Sequence, residues 1–410
     1  MATTPRTNVS KPNRDQINAF RTDMFGRTKI SEAYTIFDST HRYQDNGFYS
    51  DTTSTGGTVT YNADQSTVYL NVTTASGSEV TRESLKVFPY QAGKSLQIME
   101  TFVFAPSQIN LRQRVGHFTR SNGFFLEYTS DGLFFVKRSN STGTVTDIRV
   151  HQSDWNVDKL DGMGTSDVVL DPTKAQIMFS EMEWFGVGST RMGFVIDGFF
   201  IICHQFNHAN YEDTSYMTAG PHPIRHEITN LGTTQNASSF KQIAASVILN
   251  GGPLSGTDIW TATRQQEVIG VDMFPLVSIR MKEGRTGSII VPEVISLFPE
   301  SSDDFEWALI RNATITGGTW ITDTAKNNVE YNITATEMTG GRTLLEGFFG
   351  ANNQVSTPIN YGTITNFNLQ LGRSNAVPAV SEVLTLAAKV VNSSTDTGTV
   401  KASFNWFDLT

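Results

Sequence analysis

Phe124-Phe125-Leu126-Glu127-Tyr128, then Thr129-Ser130-Asp131-Gly132, then Leu133-Phe134-Phe135-Val136-Lys137-Arg138: two aromatic, apolar runs flank an Asp-Gly turn. Aromatic and β-branched residues suit a pleated, half-buried ribbon, and Asp-Gly between such runs is a strong hairpin signal. The same pattern returns at Arg191-Met192-Gly193-Phe194-Val195-Ile196, Asp197-Gly198, Phe199-Phe200-Ile201-Ile202-Cys203-His204. Outward from these hairpins, period-two alternation marks Thr58–Tyr61, Ser66–Val72, Leu96–Phe104, Leu111–Phe118 and Lys174–Trp184. Short strands at such spacing, separated by turn signals, predict a mainly β chain. The expected architecture over 31–250 is an antiparallel jelly-roll or concanavalin-like sandwich. Phe240–Leu249 fits a short helix or a strand equally, because periodicity cannot separate the two at this length.

The densest Gly/Pro cluster, Asn250-Gly251-Gly252-Pro253 with Ser255-Gly256 beyond it, marks a linker over 251–259. Patterning resumes at Met273–Met281, Ser288–Leu297, Phe305–Ile310, Val329–Thr336, Thr343–Phe349, Thr365–Leu371, Val383–Val391 and Val400–Trp406. These strands predict a second, smaller β-sandwich over 260–410.

Residues 1–30 have another character. Arg6, Lys11, Arg14, Arg21, Arg27 and Lys29 face only Asp15 and Asp23, so this segment carries +4 and the remainder of the net −9 chain carries −13. With almost no apolar residue before Phe20 it cannot bury itself. It reads as an extended basic arm that docks on an acidic neighbour, where guanidinium forks pair with carboxylates.

Composition excludes several classes. Aromatic residues at 11%, with 27 Phe, argue against a disordered chain. A net charge of −9 argues against direct nucleic-acid binding. The single Cys203 permits neither an internal disulfide nor a cysteine zinc cluster. No apolar segment follows the polar Met1-Ala2-Thr3-Thr4-Pro5 and none is long enough to span a bilayer, so synthesis in a cytoplasm without membrane insertion is expected.

Chemistry-bearing patterns are sparse. His204 and His208, and His222 and His226, are spaced i,i+4; on a strand that spacing separates side chains too far for one metal, and no metal or other cofactor is expected. Glu181 and Glu183 stand at i,i+2 on one strand face. Glu181-Met182-Glu183-Trp184 resembles part of the Glu-x-Asp-x-x-Glu strand of laminarinase-type glycosidases, but Gly186 occupies the position of the third carboxylate, and an enzyme is not expected. Trp155, Trp320 and Tyr361 are candidate sugar-stacking residues.

Longer stretches carry a resemblance to another family. Phe25-Gly26-Arg27-Thr28-Lys29-Ile30-Ser31-Glu32-Ala33-Tyr34-Thr35-Ile36-Phe37-Asp38-Ser39, Ser153–Gly162, Asp171–Gln176 and above all Glu183–Asn210 resemble virion structural proteins of marine tailed bacteriophages, the cyanophage-type fibre and decoration proteins. The resemblance covers about residues 25–250 and is looser over 260–410. It implies a structural, fibre-like or decorating component, assembled into a virion in the host cytoplasm beside other virion subunits. Homo-oligomerisation, trimeric by analogy with three-fold fibres, and contact with a host surface glycan or protein follow from the same resemblance. The leading expectation is an appendage anchored by its N-terminal arm. A capsid or tail decoration protein, and a polysaccharide-binding or -degrading sandwich, are the alternatives.

Overall fold

The computed structural model describes residues 32–252, 258–323, 327–350, 359–360, 369–391 and 397–410. The first part is built from β1 (Ala33–Thr40), β2 (Tyr49–Ser54), β3 (Thr58–Asn62), β4 (Thr67–Val72), β5 (Glu79–Ser84), β6 (Ser95–Val103), β7 (Leu111–Phe118), β8 (Gly123–Thr129), β9 (Gly132–Ser139), β10 (Thr146–His151), β11 (Gln176–Met182), β12 (Thr190–Ile196), β13 (Phe199–Phe206), β14 (Ile224–Asn230) and β15 (Ser238–Asn250). One short 3₁₀ turn, Gln152–Asp154, interrupts them. All strand pairs are antiparallel. One sheet runs β13-β12-β11-β6-β15-β4-β3, with β1 also on β15; the other runs β10-β9-β8-β7-β14-β5-β2.

Both hairpins form, the second on its Asp-Gly pair and the first one residue earlier. Ile196 pairs with Phe199, leaving Asp197 and Gly198 as a two-residue loop with positive φ of 52° and 82°, the conformation that favours Asp-Gly there. Thr129 pairs with Gly132 across Ser130-Asp131. Phe240–Leu249 is strand, not helix: β15 is bonded to β4, β6 and β1, and partners on both edges settle what periodicity leaves open. The inward faces of the two sheets interdigitate around Phe102, Phe104, Phe135, Phe194, Phe240 and Trp155. Burying rings of this size supplies the main apolar stabilisation, about 25 cal/mol per Å² removed from water.

The second part holds β16 (Asp258–Ile269), β17 (Phe274–Met281), β18 (Ile290–Pro299), β19 (Asp304–Arg311), β20 (Thr314–Thr316), β21 (Val329–Asn332), β22 (Glu337–Thr339), β23 (Arg342–Gly350), β24 (Ile359–Asn360), β25 (Val383–Val390) and β26 (Thr397–Asp408). Two sheets, β16-β26-β18-β24 and β21-β17-β25-β19-β23, enclose a separate core that includes the buried Trp406, Phe404 and Phe305. β16 begins inside the stretch read as linker. Its polar run Thr263-Arg264-Gln265-Gln266-Glu267 hides a strand that pairs with β26 and, among its described side chains, buries only Ala262 and Val268 firmly.

The segment after Leu369 fastens the second sandwich to the first. Gln370 Nε2 donates to the Val87 carbonyl at 2.9 Å and the Arg373 N–H to Leu85 at 2.8 Å. Asn375 Oδ1 accepts from the Ser50 and Thr52 hydroxyls, and its Nδ2 donates to the Thr81 carbonyl. Among the described residues no helix is long and apolar enough to cross a membrane.

Candidate functional site

Period two sends alternate residues of β5, β7, β8, β9, β10 and β14 to the outer face of the seven-stranded sheet. The register aligns them. Arg225 stands between Glu83 and Gly116, and Glu227 between Thr81 and Arg114. Arg114 in turn lies beside Glu127, and Arg138 beside Asp147. Residues far apart in sequence thereby form one lattice of charge.

Glu227 lies at its centre. Arg225 donates to it from Nη2 at 2.9 Å and from Nε at 3.2 Å. Arg112 reaches it at 3.2 Å and Arg114 at 3.3 Å. Burial alone would push this carboxyl up, but the charges of Arg225, Arg114 and Arg112 outweigh it and hold the pKa at about 2. Arg114 Nε also donates to Glu127 at 2.7 Å, and Arg149 Nε to the other oxygen of Glu127 at 2.8 Å. Arg138 forks onto Asp147 with two 2.8 Å bonds. At the other end Arg225 donates to Glu83 at 2.8 Å, and Glu83 also accepts from Arg373 of the second sandwich.

Beneath the lattice lies a small apolar layer of Phe118, Phe125 and Val136, all fully buried although they face outward. Guanidinium groups roof it: Arg114 and Arg138 sit 5.1 and 5.0 Å over the Phe125 ring, and Arg225 5.4 Å over Phe118. Such cation–π contacts strengthen when desolvated. Gly116 and Gly123 make room for these rings. A Cβ on Gly116 would lie 2.4 Å from the Phe124 carbonyl, and one on Gly123 2.5 Å from the Phe118 Cβ.

Where this layer ends, the face opens into a cavity of about 440 Å³. Its floor is the Arg112, Arg114, Glu127 and Arg149 part of the lattice. Its rim carries Asn110, the Thr129-Ser130-Asp131 hairpin loop, and the exposed aliphatic side chains of Ile109 and Leu231. Arg149 is held flat, 4.0 Å over the Phe134 ring, with 40% of its side chain exposed. Guanidinium groups held by buried carboxylates thus form a rigid floor, beside an apolar edge.

The sequence-read candidates lie elsewhere. Arg6, Lys11, Arg14, Arg21, Arg27, Lys29 and Tyr361 fall outside the described residues. Trp155 presents no face to a ligand: it is 2% exposed, stacked 4.4 Å from Phe135, with its indole N–H given to the Val150 carbonyl. Its polar neighbours Asp154 and Asn156 made a core residue look like a loop residue. Trp320, in the second sandwich, has one ring face covered by Arg280 at 4.1 Å. Glu181 lies on the opposite, eight-stranded sheet, 3.2 Å from the Ser95 hydroxyl and 3.6 Å from Arg191.

The histidines serve packing. His208 Nδ1 is 2.6 Å from the Gly188 carbonyl and its ring stacks on Tyr216 at 3.6 Å. His204 accepts the Asn156 N–H. His117 Nε2 is 2.7 Å from the His222 carbonyl, both rings being buried. His226 Nε2 lies 3.3 Å from Glu100 Oε2, with neither side chain exposed. Burial lowers the His226 pKa to about 3 and raises that of Glu100 well above the carboxylate range, which makes this a neutral pair. Among the described residues no three His, Cys, Asp or Glu side chains gather as a metal-ligand set. Cys203 is buried in the core, and burial pushes its thiol up.

One signal in the sequence pointed to the lattice: charged pairs at i,i+2 within β strands, Arg112/Arg114 and Arg225/Glu227. Only the register shows that they meet.

No family model and no curated protein matches this chain. Among solved structures it is similar to the carbohydrate recognition domain of Emp47p, at 12% identity over 54% of this chain and 98% of that one, with a TM-score of 0.33. It is similar to the CBM2 module of the evolved Dit of Lactobacillus casei BL23 phage J-1, at 7% identity over 55% and 100%, with a TM-score of 0.36. Arcelin-5, a lectin-like defense protein from Phaseolus vulgaris, shares 7% identity over 54% and 99%, with a TM-score of 0.31.

Proposed function

We propose that this chain is a structural, appendage-type subunit of a tailed-phage virion, and that the cavity at the end of the seven-stranded sheet is its contact with a surface glycan. The observation that carries the glycan contact is the cavity floor. Arg112 and Arg149, held by Glu227 and Glu127, present donors, and the exposed Asp131 on the rim presents an acceptor, which suits the neighbouring hydroxyls of a sugar ring. Ile109 and Leu231 supply an apolar edge for its C–H faces. Sites of this kind combine a pre-formed concavity with a few oriented polar groups. The resemblance of residues 25–250 to marine-phage virion proteins supports the particle role.

Two experiments test the reading. The full chain is applied to a glycan array beside its Arg149→Gln and Asp131→Asn variants; retention of a glycan by the parent and its loss in Arg149→Gln is the expected result. Mass spectrometry of purified particles, with residues 1–30 present or deleted, tests incorporation. Incorporation without any glycan retained would favour the decoration role, and normal incorporation of the deletion would remove the anchoring arm.

A further inference from the structure

The seven-stranded sheet ends at β10, and among the described residues no strand is bonded to its outer edge. Two comparable edges are covered. On β13, the matching end of the other sheet, the Cys203 carbonyl accepts the Val157 and Asp158 N–H groups, and Gln205 exchanges bonds with the Asn156 side chain. On β2, the far end of the same sheet, Ser50 and Thr52 donate to Asn375 of the second sandwich. β10 by contrast is exposed over Thr146, Asp147, Ile148 and Arg149, with Ile148 51% exposed. An open edge of this kind is a template for another strand. We infer that β10 is the docking edge for a second copy of this chain: the two β10 strands pair antiparallel about a two-fold axis at Ile148, so that Asp147 of each copy faces Arg149 of the other.

Backbone and charge together select that partner and that register. In an antiparallel ladder successive residues turn their N–H and C=O groups to alternate edges. Thr129 and Gly132 are the closing pair of their hairpin, so β9 turns Phe135 and Lys137 toward β10. Their partners Val150 and Ile148 turn toward β9, and Asp147 and Arg149 present their backbone groups at the open edge. Two copies match these groups with Asp147 opposite Asp147, with Arg149 opposite Arg149, or with Asp147 opposite Arg149. Both side chains lie on the outer face of the sheet, Asp147 forked by Arg138 and Arg149 bonded to Glu127. The first two registers set like charges directly opposite, which destabilises a strand pair; the third sets unlike charges opposite at both positions. In that register the alternation of guanidinium and carboxylate from Glu227 through Arg114 and Glu127 to Arg149 continues into Asp147 and Arg138 of the other copy. Ile148 meets Ile148 on the axis, and each covers an exposed apolar side chain. A second copy supplies this complementarity by symmetry. The axis stands perpendicular to the joined sheet, so both copies turn the cavity floored by Arg112 and Arg149 to the same side. Bivalent capture of a glycan would rest on the glycan reading; the pairing itself does not.

The test follows the full chain by sedimentation velocity. A strand of 6 residues on each side makes a small interface, so a dimer is expected to assemble over about 1–100 μM. Ile148→Lys and Ile148→Glu, at an exposed position, each bring like charges together on the axis and are expected to stay monomeric over that range. Their equimolar mixture is expected to regain the dimer, because unlike charges then meet. Cysteine cross-linking reads the register. Residues opposite one another at a non-hydrogen-bonded site have Cα atoms about 4.5 Å apart, within reach of a disulfide, so Ile148→Cys is expected to form a linked dimer under mild oxidation. Thr146→Cys faces Val150 of the other copy, about 13 Å from its own counterpart, and is expected to remain unlinked. The native Cys203 is buried in the core, and the parent is expected to give no cross-link. A parent that is monomeric at about 100 μM overturns the inference. So does a dimer or trimer that Ile148→Lys leaves intact, or cross-linking of Thr146→Cys in place of Ile148→Cys. None of these readouts needs a glycan, so failure of the pairing and failure of the glycan contact are told apart.

Discussion

Glu227→Gln takes one negative charge from the centre of the arginine lattice while leaving the side chain's shape nearly intact. The size of the effect follows from the site. Burial would raise the carboxyl, yet Arg225, Arg114 and Arg112 bring it from the ordinary 4.5 down to about 2. At about 1.4 kcal/mol per pH unit, that gap amounts to about 3 kcal/mol, within the range for breaking a buried ion pair from one side. The folded value is depressed, so the contribution is fully present above pH 4.5 and is lost as pH falls toward 2. The variant is therefore expected to be about 3 kcal/mol less stable at pH 7, with the deficit roughly halved at pH 3. Urea unfolding followed by tryptophan fluorescence reads this out, since Trp155 lies in the core of the same sandwich. A deficit below about 1 kcal/mol at pH 7 would refute the reasoning. So would a deficit that stays the same at pH 3.

Gly116→Ala drives a Cβ to 2.4 Å from the Phe124 carbonyl and is expected to cost about 1–3 kcal/mol, measured by the same unfolding assay. Glu100→Gln is expected to be more stable than the parent above pH 4.5. The raised folded pKa of Glu100 means that its contribution is present below 4.5 and lost as pH rises. The advantage should grow by about 1.4 kcal/mol per pH unit, which a pH series of melting curves would show. Trp155→Ala empties a packed core position and should cost about 3–5 kcal/mol. Glycan retention by its folded fraction should be unchanged, because Trp155 does not line the cavity.

The elements of the fold were legible wherever local chemistry decided them. Asp197-Gly198 closes its hairpin because the turn itself selects those residues, and the Asp131-Gly132 pair marks its hairpin to within one residue of the observed Ser130-Asp131 loop. The core strand β15 was not legible: Ala244, Ala245 and Ser246 have no strong preference, and its state depends on partners placed far along the chain. The site is a matter of register throughout. Arg225 and Glu83 are bonded across 142 positions of sequence, and nothing local in either strand names the other. Trp155 misled for the opposite reason: its local setting is polar, but its ring lies on Phe135 and Phe194 in the core.

The most direct measurement is hydrogen exchange of the full chain with and without the glycan it retains on the array. The proposed contact requires slowed exchange over residues 109–114 and 127–131 and around Arg149 and Leu231, which together form the floor and rim of the cavity. Slowed exchange confined to the eight-stranded sheet or to the second sandwich, with these segments unchanged, would contradict it.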